Sequence, residues 1–199
     1  MPLLKEIELL GTRLIVWDLL ESDHEIANAL HCLDKTNGLN FIERHFRLTL
    51  GWQFVLQSIL GQQYLGVYKD VHGKPFLLGA DMQLSVAHTK QIVVCALHQS
   101  KRIGVDIEAF SGKISRVKHK FMSTLELKNH ENEFDLTQIW CAKEAMFKLN
   151  GERGVSFKQD IRVQQFSTTS GEIFLRDGLL AQYASVVLDD LMLVVAIEG

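Results

Sequence analysis

Hydrophobic and polar residues follow two different periods along this chain. Alternating runs at 5–9 and 13–18, separated by Gly11, predict an opening β-hairpin. Ser22 and Glu25 have the spacing of a helix-capping box, and the apolar residues after them recur at helical intervals. The chain is therefore expected to open with a hairpin followed by a helix.

The period changes several more times before the end of the chain. Helical patterns are predicted at 41–60, 113–131 and 135–150, and strands at 64–68, 83–86, 92–97, 103–107 and in four runs between 161 and 197. This order predicts an α+β protein of two similar halves, residues 1–103 and 104–199. We expect a pseudo-twofold arrangement with the active site at the seam, for which a monomer would suffice.

Composition narrows the functional classes. The 199 residues carry 21 Lys and Arg against 24 Asp and Glu, a net charge of −3, and 47% are hydrophobic. This is ordinary globular usage, without the basic footprint of a nucleic-acid-binding protein. An anionic ligand must therefore meet a local cluster of basic groups.

The cysteines and the apolar runs bear on the compartment. Cys32, Cys95 and Cys141 are widely spaced, which argues against a disulfide framework or a thiolate zinc site. Lys5 interrupts the first apolar run, and the longest apolar run, Leu191 to Ile197, is too short to cross a bilayer. We expect a cytoplasmic protein without membrane or nucleic-acid partners.

Two segments carry acidic groups in arrangements that suit chemistry. Asp106 and Glu108 are two apart on a predicted strand and face one side, as ligands of a hard divalent cation would. Glu144 and Lys148 are four apart on a predicted helix and share a face. Taken singly, the first pair also fits a solvated strand face and the second a surface ion pair.

Two further segments complete the set. His88 lies at the exit of a predicted strand, and Lys74-Pro75 occupies a turn after Gly73. Each alone fits a structural histidine or an ordinary tight turn.

In order, Gly73-Lys74-Pro75, Ser85-Val86-Ala87-His88, Gly104 to Glu108 and Trp140 to Lys148 resemble the signature motifs of the 4'-phosphopantetheinyl transferase superfamily. The wide spread of the motifs is similar to the single-chain, two-half type that activates surfactin synthetase. The resemblance implies the fold of that superfamily and holo-acyl-carrier-protein synthase activity. Phosphopantetheine would pass from coenzyme A to a serine of an apo acyl or peptidyl carrier protein, releasing adenosine 3',5'-bisphosphate.

The resemblance also implies roles for individual residues. Asp106, Glu108 and Glu144 would hold Mg²⁺, or Mn²⁺, with the pyrophosphate of coenzyme A. Lys148 would contact the transferred phosphate, and His88 the 3'-phosphate. The remaining expected contacts are Lys74 and Pro75 at the adenine and phosphate pocket and Arg47 at the 3'-phosphate. Glu144 is our first choice of general base, and Asp106 is the alternative.

The chain departs from the superfamily pattern around the 3'-phosphate. Ala87 stands where a small hydroxyl residue is common, and Leu56 where related chains often carry an arginine. Lys35 and Arg44 are candidates for basic residues expected upstream of Arg47. The phosphate contact is therefore expected to come partly from Thr89, Ser85, a backbone amide or another group.

Between the two catalytic motifs lies a basic segment that could bind an acidic carrier protein or be an ordinary solvated helix. Its residues are Lys113, Arg116, Lys118, His119 and Lys120, followed by Phe121-Met122. Two rival functions stay open: a magnesium-dependent coenzyme A phosphohydrolase, and a non-catalytic module that binds coenzyme A or a carrier. The pathway served, whether fatty acid, polyketide or nonribosomal peptide synthesis, is not encoded in these motifs.

Overall fold

The computed structural model describes residues 3–30, 44–165, 167–176 and 178–199. Its elements, in chain order, are β1 (Leu3–Leu9), β2 (Thr12–Asp18), α1 (Asp23–Ala29), α2 (Arg44–Leu60), β3 (Val67–Lys69), β4 (Pro75–Leu77), β5 (Gln83–Thr89), β6 (Ile92–His98), β7 (Ile103–Ala109), α3 (Lys113–Phe121), α4 (Thr124–Asn129), α5 (Glu133–Asn150), β8 (Ile161–Gln165), β9 (Ser170–Leu175), β10 (Leu179–Leu188) and β11 (Leu191–Glu198). A 3-10 turn follows α2 at Gly61–Gln63. The chain is mixed α+β, as predicted.

The strands form two larger antiparallel sheets and one small hairpin. A four-stranded sheet has the order β1-β2-β6-β5, and a five-stranded sheet has the order β7-β11-β10-β9-β8. The hairpin pairs β3 with β4. The predicted opening hairpin is confirmed, because β1 pairs antiparallel with β2. Division into two similar halves stays a prediction.

Three apolar clusters arrange these elements in layers. One cluster joins the four-stranded sheet to α2 through residues such as Trp52 and Val55. A second joins the five-stranded sheet to α5 through residues such as Ala142 and Met146. The third contains residues of both sheets, including Val94 and Val105. The two sheets therefore pack on each other, with helices on their outer faces.

Local signals in the sequence account for several helix boundaries. The predicted capping box forms, with Ser22 capping α1 through Glu25, and Ser123 caps α4 with Glu126 in the same way. The helix α5 ends at Gly151, which adopts a left-handed conformation with φ of 77°. Within the described ranges, no helix combines the length and apolar character that crossing a bilayer requires.

Several predicted bounds need correction. The segment 113–131 contains two helices, because the Ser123 cap begins a new one after α3. The strand predicted at 64–68 begins later, as β3 at Val67–Lys69, and residues 64–66 lie before it. Ser170-Gly171, a pair of residues typical of a turn, opens β9. Residues 41–43 of the predicted second helix lie outside the described residues.

Candidate active site

A glycine on β7 lets the strand and helix α5 come together. Gly104 packs so tightly on α5 that an added Cβ would overlap the carbonyl oxygen of Ala145. Asp106 and Glu108 follow Gly104 at intervals of two and so share its side of the strand. The intervening Val105 and Ile107 are buried in the cluster between the sheets. The carboxylates therefore lie on the side of β7 that α5 covers.

The two predicted motifs meet at this contact. Lys148 Nζ on α5 donates to Asp106 Oδ1 at 2.8 Å and to the carbonyl oxygen of Val105 at 2.9 Å. Asp106 is 8% exposed, whereas the side chain of Lys148 is 28% exposed, so the ion pair is partly open to water on its lysine side. This pairing joins residues 42 positions apart in the sequence.

The charges of Asp106 and Lys148 also act on the other two carboxylates, Glu144 and Glu108. Burial, and then the charge of Asp106, raise the pKa of Glu144 to about 7, against the lowering effect of Lys148. Burial and the charge of Asp106 also raise the pKa of Glu108, while a hydrogen bond with Trp140 lowers it. A bound cation would relieve the burial and charge repulsion that raise the pKa values of Glu108 and Glu144.

The fit to a divalent cation is partial. Asp106 Oδ2 is buried and has no hydrogen-bond partner among the described residues, which leaves a hard oxygen donor unsatisfied. However, in the described part of the chain, no group of three or more His, Cys, Asp or Glu side chains is arranged to hold a metal ion. The carboxylates are close enough to interact but do not form a ready-made cage.

A cavity of about 200 Å³, called here the basic cavity, opens beside Lys148. Its lining includes His72, Lys74, Pro75, Ser85, Lys148 and Arg153. Lys74 and Pro75 thus line the same cavity as Lys148. Burial, reinforced by the charge of Arg102, lowers the pKa of Lys74, and its Nζ donates to the carbonyl oxygen of Leu149 at 2.8 Å.

A second cavity, of about 430 Å³, lies beside Glu144, one turn along α5 from Lys148, and is called here the apolar cavity. Its lining is Val117, Lys120, Phe121, Trp140, Glu144 and Phe157. Trp140 contacts both aromatic neighbours, with ring centroids 5.0 Å from Phe121 and 5.7 Å from Phe157. Glu144 therefore stands at the edge of an aromatic recess.

Residues 102–196 match the 4'-phosphopantetheinyl transferase superfamily. The matched range is just under half of the chain and holds Asp106, Glu108, Glu144 and Lys148. It supports the superfamily resemblance seen in the sequence and, in general terms, a transferase role in phosphopantetheine transfer. Members of this superfamily use coenzyme A, act on carrier proteins and typically need a divalent metal. No curated protein matches the chain.

The structure places the other predicted residues less favourably. His88 is exposed on β5 and does not line the basic cavity, although Val86 on the same face of the strand does. Arg47 belongs to α2, and its side chain lies outside the described part of the structure. The side chain of Arg44 and all of Lys35 also lie outside it.

Two positions at which the chain departs from the superfamily pattern, and one position in the basic segment, are buried in the core. Leu56 is 0% exposed in the cluster between α2 and the four-stranded sheet. Ala87 is 3% exposed and belongs to the cluster between the sheets. Met122 is 0% exposed, so the expectation that it contributes to a docking surface is wrong. Its neighbour Phe121 is also buried but lines the apolar cavity.

Sequence reasoning missed His72 and Arg153, both exposed at the basic cavity. A signal for Arg153 was present, because glycines flank the Glu152-Arg153 pair on both sides. Gly151 and Gly154 have φ of 77° and 80°, so the loop adopts a left-handed backbone conformation on both sides of this pair.

Proposed function

We propose that the chain transfers 4'-phosphopantetheine from coenzyme A to a serine hydroxyl of an apo acyl or peptidyl carrier protein, with Mg²⁺, or Mn²⁺, as the metal. The observation that carries this proposal is the Lys148–Asp106 pair, with the basic cavity beside Lys148 and the apolar cavity beside Glu144, one turn away on α5. Coenzyme A is a diphosphate ester with a phosphorylated nucleotide at one end and an amphiphilic arm at the other. The basic cavity suits the phosphorylated end, and the apolar cavity suits the arm.

The proposed metal ligands are Asp106, Glu108 and Glu144. Their support is the unsatisfied Oδ2 of Asp106 and the mutual effect of the three charges. When bound, a divalent cation would offset negative charge on the pyrophosphate of coenzyme A. Lys148 would help to offset the same negative charge, because it bonds to Asp106 and lines the basic cavity.

The reaction needs a base for the serine proton. The serine oxygen forms a bond to the phosphorus of phosphopantetheine, and the bond from that phosphorus to the bridging oxygen breaks. Adenosine 3',5'-bisphosphate leaves with the electron pair. Glu144, directly or through a water, is the proposed acceptor of the proton because it edges the apolar cavity from which a carrier would approach. Asp106 is already held by Lys148 and is the second choice.

The carrier is proposed to dock on α3 and the rim of the apolar cavity. The helix carries Lys113, Arg116, Lys118, His119 and Lys120 and no acidic residue. Lys120 also lines the apolar cavity, so basic charge and apolar surface adjoin. This combination suits an acidic partner that presents a serine and apolar side chains.

The test follows release of adenosine 3',5'-bisphosphate from coenzyme A and Mg²⁺, with apo carrier, with a Ser→Ala carrier, and without carrier. Release only with the apo carrier is expected. Equal release in all three reactions would instead show a coenzyme A phosphohydrolase. Binding of coenzyme A without release on several carriers would leave a binding module.

A further inference from the structure

The basic cavity is lined by basic side chains from different parts of the chain. Lys148 on α5 is one of them and is paired with Asp106. His72 and Arg153 are exposed on its lining. Among the described residues, no Asp or Glu lines this cavity. A ligand that carries phosphate at two points would therefore find positive charge for both.

The two loops that bear His72 and Arg153 are built to hold them. Asp70 Oδ1 accepts the backbone N–H of His72 and of Lys74, both at 2.9 Å, which fixes the turn between β3 and β4. Lys74 then reaches across to the last turn of α5 through its bond to the carbonyl oxygen of Leu149. Lys74 thus ties the turn to the helix end from which the Arg153 loop departs.

Close packing holds the two loops beside each other. A Cβ added to Gly151 would lie 3.0 Å from Lys74 Cδ, so the glycine lets the two segments approach. On the far side of the loop, Arg176 Nη2 lies 3.4 Å from the carbonyl oxygen of Gly154. Arg153 is therefore presented between two anchored glycines and is itself exposed to a ligand.

We propose that Arg153, assisted by His72, binds the ribose 3'-phosphate of coenzyme A. The inference rests on the proposed function, in which Lys148 serves the pyrophosphate. It supplies the contact that Ala87 cannot make, because Ala87 faces the core between the sheets. It also explains how the cavity could discriminate coenzyme A from 3'-dephospho-coenzyme A although His88 does not line it.

The experiment measures, by isothermal titration calorimetry with Mg²⁺, the affinity of the full chain for coenzyme A and for 3'-dephospho-coenzyme A. In Arg153→Gln, affinity for coenzyme A should fall about tenfold, the size of one charge-assisted contact at an exposed position. Affinity for the dephosphorylated ligand should change less than about twofold. Arg153→Lys should recover part of the loss, and His72→Gln should show a smaller loss with the same selectivity.

Arg162→Gln is the matched control, because Arg162 is an exposed arginine on β8 that packs over Phe174, 4.0 Å from the ring centroid to Cζ. It should leave both affinities unchanged. Equal losses for the two ligands in Arg153→Gln, or no loss for either, would overturn the proposal. Absence of carrier modification by wild-type protein that still prefers coenzyme A would refute the transferase function alone.

Discussion

Lys143 is a charged residue in the core, and its removal tests how the segments around the active site are held together. The side chain is 0% exposed. Four oxygen atoms surround its Nζ at 2.8–2.9 Å: the carbonyl oxygens of Phe121, Phe157 and Ile161 and Oε2 of Glu126. Phe121 and Phe157 line the apolar cavity, so one ammonium group links α5 to both walls.

We expect Lys143→Met to lower the free energy of unfolding by about 3–5 kcal/mol, the typical cost of breaking a buried ion pair. Methionine replaces most of the side-chain volume, so the loss comes from uncompensated polar groups. Glu126 is 4% exposed and would keep its bonds from the backbone N–H of Ser123 and Val163 while losing its counter-charge. The three carbonyl oxygens would lose the same donor.

Urea unfolding followed by circular dichroism measures this loss. Adding Glu126→Gln to Lys143→Met should recover part of it, because the unpaired charge is removed, and the double-mutant cycle isolates the coupling. Lys158→Met is the control: Lys158 is exposed and makes one bond, to the carbonyl oxygen of His119 at 3.1 Å. A loss in Lys143→Met no greater than in this control would refute the reasoning.

Three further predictions follow from other contacts. Gly104→Ala should destabilise the protein by about 1–3 kcal/mol and depress transfer, because its Cβ overlaps α5, whereas Gly178→Ala, with open space around it, should be nearly neutral in the same urea assay. Combining Lys118→Glu with Lys120→Glu should raise the apparent KM for the carrier more than about fivefold and leave the KM for coenzyme A unchanged. The control combines Lys69→Glu with Lys90→Glu at two exposed lysines and should alter neither KM. Equal effects on both substrates would contradict the docking surface. The Arg102 hydrogen bond holds the pKa of Glu198 below its ordinary 4.5, so the pair stabilises the fold above that pH and the effect disappears as pH falls through the lowered value. The stability difference between wild type and Glu198→Gln should accordingly be under about 1 kcal/mol at neutral pH and vanish in acid, as measured by urea unfolding across pH.

Local periodicity placed the charged groups of the candidate site on common faces, and the resemblance of four motifs in order singled them out from ordinary surface charges. A period of two placed Asp106 and Glu108 on one side of a strand, and a spacing of four placed Glu144 and Lys148 on one helix face. The structure adds the contact between these faces, which depends on Gly104 meeting Ala145. From the sequence alone, a glycine in a strand does not indicate which segment of backbone packs against it.

Long-range contacts explain what sequence reasoning missed or misplaced. His72 and Arg153 are 81 positions apart in the numbering but line the same cavity, where Lys74 bonds to the end of α5. Met122 follows a basic run and has the composition of a surface anchor, but the end of α3 turns it into the core. Burial on a short helix depends on what packs above it, and local spacing does not encode that.

The most direct test of the transferase account is the intact mass of an apo carrier protein after incubation with this chain, coenzyme A and Mg²⁺. The account predicts a gain of one phosphopantetheine on the carrier serine, abolished by EDTA and by Asp106→Asn and retained in the surface control Arg162→Gln. Fatty acid, polyketide and nonribosomal peptide carriers should be compared in parallel, since their rates would identify the pathway. An unchanged mass on all of them, with coenzyme A bound, or a gain that persists in Asp106→Asn, would contradict the account.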